Sequence, residues 1–269
     1  MTRKLGFIGA GNMSSAIIGG IVQAKPQAAG NITASDISDV VLGGLQKELG
    51  IKTTSCNVEL AKANDIIFLC VKPNKIKEVI HKIRDVMTVD KIIVSIAAGI
   101  TLEQLQDAFA KDVRIIRTMP NTPALVNMGM TAICPAENVP AADVKFVTSI
   151  FEMIGKAQIL PENLIHAFIG VAGSAPAYAF MFIEALADAG VKHGLSRKDA
   201  IEFSAQTLLG AAKMVINTDS HPAKLRDNVC SPGGTTICAV AKLEEHGFRN
   251  AIIQASTACI EKSIEMSGE

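Results

Sequence analysis

Residues 5–14, Leu-Gly-Phe-Ile-Gly-Ala-Gly-Asn-Met-Ser, restrict the fold more than any other stretch of the chain. They predict an apolar strand, a Gly-x-Gly-x-x-Ser turn and the start of a helix, an order typical of dinucleotide-binding folds. Gly9 allows the tight turn, and Gly11 lets a pyrophosphate approach the backbone at the positive end of the helix. Ser14 replaces the usual Gly or Ala and is still small enough for close helix–strand packing. The cofactor-binding residues predicted in this turn are Ile8, Gly9, Ala10, Gly11, Asn12 and Met13.

The pattern of apolar runs changes once along the chain, near Pro161. Before it, short apolar runs alternate with amphipathic ones, which is typical of βα repeats around a parallel sheet. After it, strand signals end and long apolar-rich helices follow. We therefore predict an α/β fold with a Rossmann-type doubly wound parallel sheet over residues 1–161 and an all-helical domain over residues 162–269. The predicted strands are 4–8, 32–34, 66–71, 91–96, 114–118, 132–134 and 157–160, and the later helices are 164–169, 175–193, 197–217, 235–246 and 250–266.

Charge and cysteine content exclude several classes of partner. The formal net charge is zero, from 26 basic and 26 acidic residues, so no basic surface for nucleic acid or anionic membrane is expected. Trp is absent and Tyr occurs once, which argues against base-stacking surfaces. The six cysteines form no Cys-x-x-Cys pair. We therefore predict no metal site and no disulfide framework, with each cysteine a small buried residue in a cytoplasmic protein.

Two apolar segments resemble membrane signals. Residues 5–22 follow two basic residues as a signal peptide would, but glycines that include Gly9, Gly11, Gly19 and Gly20 interrupt them, and they fit the strand and helix above better. Residues 167–183 are uncharged but short for a membrane span, and we predict a buried helix there. Residues 175–191 are apolar around most of the helix circumference. Burial at a subunit interface would cover them, so we predict at least a homodimer.

Three loops at predicted strand ends are candidates for the rest of the cofactor site, because open α/β sheets bind ligands at the carboxyl ends of their strands. Asp36 favours the free ribose hydroxyls of NAD, although Ser35 and Ser38 can donate to a 2′-phosphate, so NADH and NADPH both stay open. Small residues in the loop 96–99 leave room for a nicotinamide ring. The predicted cofactor residues here are Ser35, Asp36, Val71, Lys72, Pro73, Ala97, Ala98 and Gly99.

Residues 228–236, Asn-Val-Cys-Ser-Pro-Gly-Gly-Thr-Thr, predict a turn of bare backbone followed by a helix. The start of a helix offers unpaired N–H groups and the positive end of its dipole, so it can hold a carboxylate. The hydroxyls of Thr235 and Thr236 would then reach the rest of the bound molecule. A plain helix-capping turn is the alternative.

Six motifs occur in a fixed order along the chain: residues 7–13, 71–73, 97–100, 117–123, 173–178 and 227–236. With them, the chain resembles the pyrroline-5-carboxylate reductase family over essentially its whole length. The resemblance implies NADPH- or NADH-dependent reduction of 1-pyrroline-5-carboxylate to L-proline, the last step of proline biosynthesis. It also implies a helical dimerisation domain and often a ring of dimers. Ala175 departs from the family, which usually has Gly there.

The resemblance also implies particular site residues. The substrate carboxylate would lie on the backbone of Gly234, Thr235 and Thr236, with the Thr236 hydroxyl near the ring nitrogen as the catalytic group. Glu162 and Asn228 match further substrate positions, and Asn57 matches a contact to the adenosine side. The predicted substrate-binding residues are Glu162, Asn228, Ser231, Gly233, Gly234, Thr235 and Thr236.

The proposed chemistry needs little from the protein beyond positioning, because a protonated cyclic imine is already a strong electrophile. No Ser-His-Asp or Cys-His set is apparent, and the five histidines are interpreted as surface or hydrogen-bonded structural residues. A 3-hydroxyacid dehydrogenase is one alternative, disfavoured because residues 175–191 lack the lysine that those enzymes use. A cofactor-sensing regulator is the other. The preferred cofactor, the oligomer size and activity on six-membered imines stay open.

Overall fold

The computed structural model describes residues 3–110 and 112–268. By its internal contacts the chain divides into two compact units, one comprising the residues up to Gly173 together with those from Cys259 onward, the other Ser174–Ala258. This division falls later than the predicted boundary because residues just after 161 bond to the sheet: Glu162 pairs with Arg117, and the carbonyl of Ala172 accepts from Asn121. The domain boundary at residue 161, which was inferred from the change in sequence pattern, stays a prediction.

Within the described residues, eight strands form one sheet in the order β3-β2-β1-β4-β5-β6-β7-β8. All neighbours are parallel except β6 and β7, which are antiparallel. The predicted fold class is confirmed, and only the 3-residue edge strand β3 was not predicted. The strands are β1 Leu5–Ile8, β2 Ile32–Ser35, β3 Lys52–Thr54, β4 Ile66–Leu69, β5 Ile92–Ser95, β6 Arg114–Met119, β7 Gly129–Pro135 and β8 Gly155–Ile159.

Helices cover both faces of this sheet. Alternate residues of a strand point to opposite faces, so Phe7 joins one apolar cluster and Ile8 the other. Phe7 stacks on Phe68 with ring centroids 4.3 Å apart, and each such buried side chain contributes about 1.5–3 kcal/mol. The helices of this unit are α1 Asn12–Ala24, α2 Asp39–Leu49, α3 Asn57–Ala63, α4 Ile76–Ile83, α5 Leu102–Phe109, α6 Ala141–Phe151 and α7 Ile165–Phe168.

The strand order fixes where a ligand can enter the first unit. The chain leaves β1 for β2 and β3 on one side, then returns to place β4 on the other side of β1. Connections therefore diverge at the carboxyl ends of β1 and β4, and open α/β sheets bind ligands in the crevice at such a point. The Gly-rich turn after β1 and the loop after β4 both lie there.

The second unit is helical. Its helices are α8 Ala175–Lys192, α9 Arg197–Thr218, α10 Pro222–Val229, α11 Thr235–Glu245 and α12 Phe248–Ser267, the last of which ends in the first unit. The short α10 was not predicted, because its sequence lacks a clear apolar period and its start is marked only by Pro222 and the cap from His221. α8 extends to Lys192, so it does carry one lysine, at its exposed last turn.

The prediction of a buried helix at 167–183 is wrong for the isolated chain. Within α8 only Ala187 is buried, whereas Phe180 and Met181 are 62% and 68% exposed. By length and composition, the stretch Glu162–Lys192 is long and apolar enough to span a membrane. Of the 18-residue apolar segment within it, 22% is buried. Apolar side chains of this helix are therefore left exposed by the other helices of its unit.

Candidate active site

The Gly-rich turn after β1 is shaped for close approach of a ligand. Gly9 has φ +96°, and a Cβ there would lie 2.7 Å from the carbonyl oxygen of Cys70. Gly11 caps α1 without a side-chain bond, and a Cβ there would meet no atom within 4 Å. The turn therefore packs against the end of β4 on one side and is open on the other, where the start of α1 presents its N–H groups. This arrangement fits a dinucleotide pyrophosphate.

The corner after β2 joins the same turn. The Asp36 carboxylate accepts from the Ala10 N–H at 2.8 Å through Oδ2 and from the Ser38 N–H at 3.0 Å through Oδ1. Ser35 is buried, and its hydroxyl donates to Oδ1 of Asn57 at 2.8 Å. The structure thus brings Ala10 of the Gly-rich turn together with three residues predicted for the adenosine side: Ser35, Asp36 and Asn57.

The loops after β4 and β5 complete the predicted cofactor residues of the first unit. After β4, Val71 is half-buried, whereas Lys72 and Pro73 are exposed. After β5, Ala97 and Gly99 are buried and Ala98 is half-buried. Gly99 has φ +73°, and a Cβ there would lie 3.4 Å from the carbonyl oxygen of Met266 in the last helix. The loop over 97–99 is therefore supported from behind by the end of α12.

Glu162 forms a charged contact inside the first unit. Its Oε1 accepts from Nη1 of Arg117 at 2.7 Å and from the Leu102 N–H at 2.8 Å. The Arg117 side chain is 1% exposed and that of Glu162 is 28% exposed. The carboxylate therefore compensates a buried guanidinium and holds the first turn of α5. Its predicted contact with substrate stays a prediction.

The predicted substrate turn lies in the second unit, between α10 and α11. The Gly234 N–H donates to the Ser231 carbonyl at 3.0 Å, and Gly233 has φ +67°, as residue three of a type II turn requires. A Cβ on Gly234 would lie 2.3 Å from Oγ of Ser231, so a larger residue there requires the Ser231 side chain to move. The Gly234 N–H is used in the turn. The free donors at the start of α11 are then those of the threonines that follow.

The side chains around this turn are accessible. α11 has no side-chain cap, Thr235 is exposed and Thr236 is half-buried. Among residues 3–110 and 112–268, no protein group bonds to the Thr236 hydroxyl. Asn228, at the end of α10, is exposed as well. The turn thus brings together the predicted residues Asn228, Ser231, Gly233, Gly234, Thr235 and Thr236, whereas Glu162 belongs to the other unit.

Comparison with known proteins identifies the family. Residues 4–99 match a family described as NADP oxidoreductase, coenzyme F420-dependent, and residues 162–266 match one described as pyrroline-5-carboxylate reductase dimerisation. The chain is 48% identical over 267 residues to the pyrroline-5-carboxylate reductase of Escherichia coli strain K12, covering 99% of each. The chain belongs to the pyrroline-5-carboxylate reductase family. Two solved reductases of the family, from Plasmodium falciparum with NADP bound and from Coxiella burnetii, are 34% and 33% identical, with TM-scores of 0.90 and 0.93. They cover 99% of this chain, and the chain covers 98% and 99% of theirs.

These matches confirm the predicted family and the prediction of an NAD(P)H-dependent reductase. The match to a dimerisation region also supports a homo-oligomer that acts on a small molecule. Roles of single residues are not part of these matches. The candidate site residues of this reductase family member therefore rest on the geometry above.

Two residues near the site were not predicted to have a role there. Arg117 lies in the motif at 117–123, but its sequence context does not show that it is buried or paired with Glu162. Gln104 accepts from the Thr101 N–H through Oε1 and donates through Nε2 to the Ser267 carbonyl at 2.9 Å. The capping pattern at Thr101 indicates the first bond. The second joins residues 163 positions apart, which no local pattern can reveal.

Gly9→Ala is expected to weaken cofactor binding by at least about tenfold. The new methyl would meet the Cys70 carbonyl at 2.7 Å, and an L-residue at φ +96° is strained by about 1–3 kcal/mol. The effect is measured by calorimetry as the affinity of the wild-type protein and of the Gly9→Ala variant for NAD⁺ and NADP⁺. Gly30→Ala is the matched control, because a Cβ there meets no atom within 4 Å and φ is not positive. Equal affinity for Gly9→Ala and the control would contradict the assignment of this turn.

The cysteines of this family member differ in environment. None of the six forms a disulfide within the described residues; Cys134 is buried, Cys238 is exposed and the other four are partly buried. The prediction that each is a small buried residue therefore holds for Cys134 and is wrong for Cys238. Burial raises the pKa of the Cys70 thiol to about 12, with a smaller opposing contribution from Ser14. Burial likewise raises the pKa of Cys134 to about 11, opposed by the positive charge of Arg117.

Cys70 and Cys134 are therefore expected to stay unreactive toward a disulfide reagent at pH 8 in the folded protein. Only the thiolate reacts, and both thiols are protonated there. Because the pKa of each thiol is raised in the folded state, the protonated thiols contribute fully to the free energy of unfolding below pH 9. That contribution is lost as the pH rises toward 11–12. Mass spectrometry after timed labelling, with and without denaturant, locates the modified residues. Rapid labelling of either thiol without denaturant would refute this.

Proposed function

We propose that this chain reduces 1-pyrroline-5-carboxylate to L-proline with NADPH or NADH, the last step of proline biosynthesis. The observation that carries the proposal is the 48% identity to a pyrroline-5-carboxylate reductase across 99% of both chains. The turn at 231–236 supports it independently, because it presents an uncapped helix start and a free hydroxyl to a small anionic substrate.

The chain's own residues then have separate tasks. The backbone N–H groups of Thr235 and Thr236, at the positive end of α11, hold the substrate carboxylate. The Thr236 hydroxyl donates to the lone pair of the neutral imine nitrogen, directly or through water, and this nitrogen gains a proton from water as the hydride reaches the carbon. Asn228 and Ser231 line the same turn, and Glu162 acts at the substrate as the family resemblance implies. No covalent intermediate is required, so no activated nucleophile is needed.

The first unit holds the nicotinamide cofactor through residues that fit it. Gly9 and Gly11 leave one side of the turn bare, as shown by the space beside Gly11, and Asp36 with Asn57 forms the adenosine corner. When bound, NAD(P)H supplies the hydride for the C=N carbon. The predicted residues at 71–73 and 97–99 lie at the carboxyl ends of β4 and β5, where the rest of the cofactor is expected.

We propose a homodimer, with a ring of dimers as the family resemblance implies, in the cytoplasm and without membrane or nucleic acid partners. The large exposed apolar side chains of α8 and α9, such as Phe180 and Phe203, support an interface on this unit. Six cysteines that form no disulfide in the described part of the chain suit a reducing compartment. Light scattering at micromolar concentration tests the assembly, and a monomeric mass would refute it.

The proposed reaction is tested by the loss of absorbance at 340 nm when pyrroline-5-carboxylate is added to the protein with NADPH or NADH. Loss of absorbance with proline as product is expected. A catalysed rate no faster than the protein-free control, with cofactor binding intact by calorimetry, would refute the reaction and favour a cofactor-sensing regulator. A parallel assay with the six-membered imine measures ring selectivity, since one methylene changes binding by only ~1–3 kcal/mol.

A further inference from the structure

The Asp36 carboxylate is fixed in place by two backbone donors. Ala10 donates to Oδ2 and Ser38 donates to Oδ1, so the group is held between the Gly-rich turn and the start of α2. An ionised carboxylate offers about four acceptor positions. Two of these are used by the backbone, which leaves about two on the open side. That number matches the 2′- and 3′-hydroxyls of an adenosine ribose.

The two serines of this corner do not provide a phosphate site. Ser35 is fully buried, and its hydroxyl proton is given to Oδ1 of Asn57 at 2.8 Å. Ser38 caps α2, with its oxygen accepting from the Val41 N–H at 3.4 Å. Only the Ser38 hydroxyl proton and the first N–H groups of α2 are then left for a 2′-phosphate. Both would have to act beside the Asp36 carboxylate.

The charge around the corner is negative. Segments 5–24, 26–46 and 53–61 contain no Arg, Lys or His, and Lys25, Lys47, Lys52 and Lys62 lie just outside them. Lys52 pairs with Thr33, two residues before the end of β2 at which the corner begins. Asp39, in the first turn of α2, adds a second carboxylate and offsets the positive helix end. Lys72 follows β4, which borders β1 on the side away from β2. A 2′-phosphate would therefore approach a carboxylate with no cationic partner from these segments.

We propose that Asp36 makes NADH the preferred cofactor of this chain over NADPH. The proposal rests on the reductase function above and names the cofactor of that same site. Asp36 accepts from the ribose hydroxyls of NADH, whereas a 2′-phosphate would place like charges side by side, which costs several kcal/mol when uncompensated. Asp36 therefore acts through attraction for one cofactor and repulsion of the other.

The test is the ratio of kcat/KM for NADH to that for NADPH, at saturating pyrroline-5-carboxylate. In the wild-type protein we expect a ratio of at least about ten. Asp36→Asn removes the charge at nearly constant size and is expected to lower the ratio at least tenfold, mainly through a lower KM for NADPH. Asp39→Asn is the matched control on the same helix start, and its ratio is expected to stay within about threefold of wild type.

A wild-type preference for NADPH, or a ratio that Asp36→Asn leaves unchanged, would overturn the proposal. If Asp36→Asn does not fold, the ratio of kcat/KM for NADH to that for NADPH in the wild-type protein tests the proposal by itself. Calorimetric binding of NAD⁺ and NADP⁺ without imine separates this proposal from the proposed reaction. Tighter binding of NAD⁺ than NADP⁺ in a protein that does not reduce the imine would sustain the cofactor assignment while the reaction fails. Tighter binding of NADP⁺ would reject it whatever the reaction.

Discussion

Glu162→Ala is expected to destabilise the first unit by about 3 kcal/mol, because it leaves the Arg117 guanidinium buried without its counter-charge. Removing one partner of a buried ion pair costs roughly 3–5 kcal/mol, and the partial exposure of Glu162 places this pair at the low end. The same change removes the acceptor for the Leu102 N–H at the start of α5. A fall in melting temperature of about 10 °C by calorimetry is the expected measurement.

Glu162→Gln is the matched variant, because it removes the negative charge and keeps the size of the side chain. It therefore separates the contribution of the charge to stability from that of the side-chain shape. Its amide oxygen can still accept from Arg117 and the Leu102 N–H, so it should lose only about 1–2 kcal/mol. Unchanged stability in Glu162→Ala would mean that Arg117 finds another partner. The glutamine variant also tests the substrate role implied by resemblance. A raised KM for the imine at near-normal stability would place Glu162 at the substrate, whereas an unchanged KM would leave it a structural residue.

Local patterns predicted the elements that carry their own signal. Strands such as β1 and β4 are continuous apolar runs because both of their faces are buried. The strand β3 and the helix α10 were not predicted, because neither sequence has an apolar period. The sequences are Lys-Thr-Thr and Pro-Ala-Lys-Leu-Arg-Asp-Asn-Val. Their placement is set by neighbours and caps, which a single-sequence pattern does not show.

The candidate site shows the same limit at the level of single contacts. The motifs placed Gly9, Asp36 and the turn before Thr236 correctly at the ends of strands or at the start of a helix. They did not show that Glu162 faces Arg117, nor that Ser267 holds Gln104, since these pairs are 45 and 163 positions apart. Such contacts depend on the packing of whole elements. They also give Glu162 a structural role that the motif alone could not indicate.

Thr236→Ala is expected to lower kcat roughly ten- to a hundred-fold, the usual loss when one positioned hydrogen-bond donor to a reacting group is removed. Its hydroxyl has no protein partner within the described residues, so it is available to the imine nitrogen. The helix start itself should survive, because Gly234 caps α11 through its backbone and the threonine N–H groups remain. Steady-state kinetics with pyrroline-5-carboxylate and circular dichroism measure both effects.

Two further variants show which property of Thr236 matters. Thr236→Ser keeps the hydroxyl and should retain most of kcat, whereas Thr235→Ala removes the exposed neighbouring hydroxyl and should change kcat by less than about threefold. An unchanged kcat in folded Thr236→Ala would exclude this hydroxyl from the reaction. The substrate would then need only the backbone N–H groups that hold its carboxylate and the cofactor. In that case, a change that disrupts the turn should lower kcat more than Thr236→Ala does. Gly234→Ala makes that comparison, because its methyl would displace the Ser231 hydroxyl from the turn while both threonines keep their side chains.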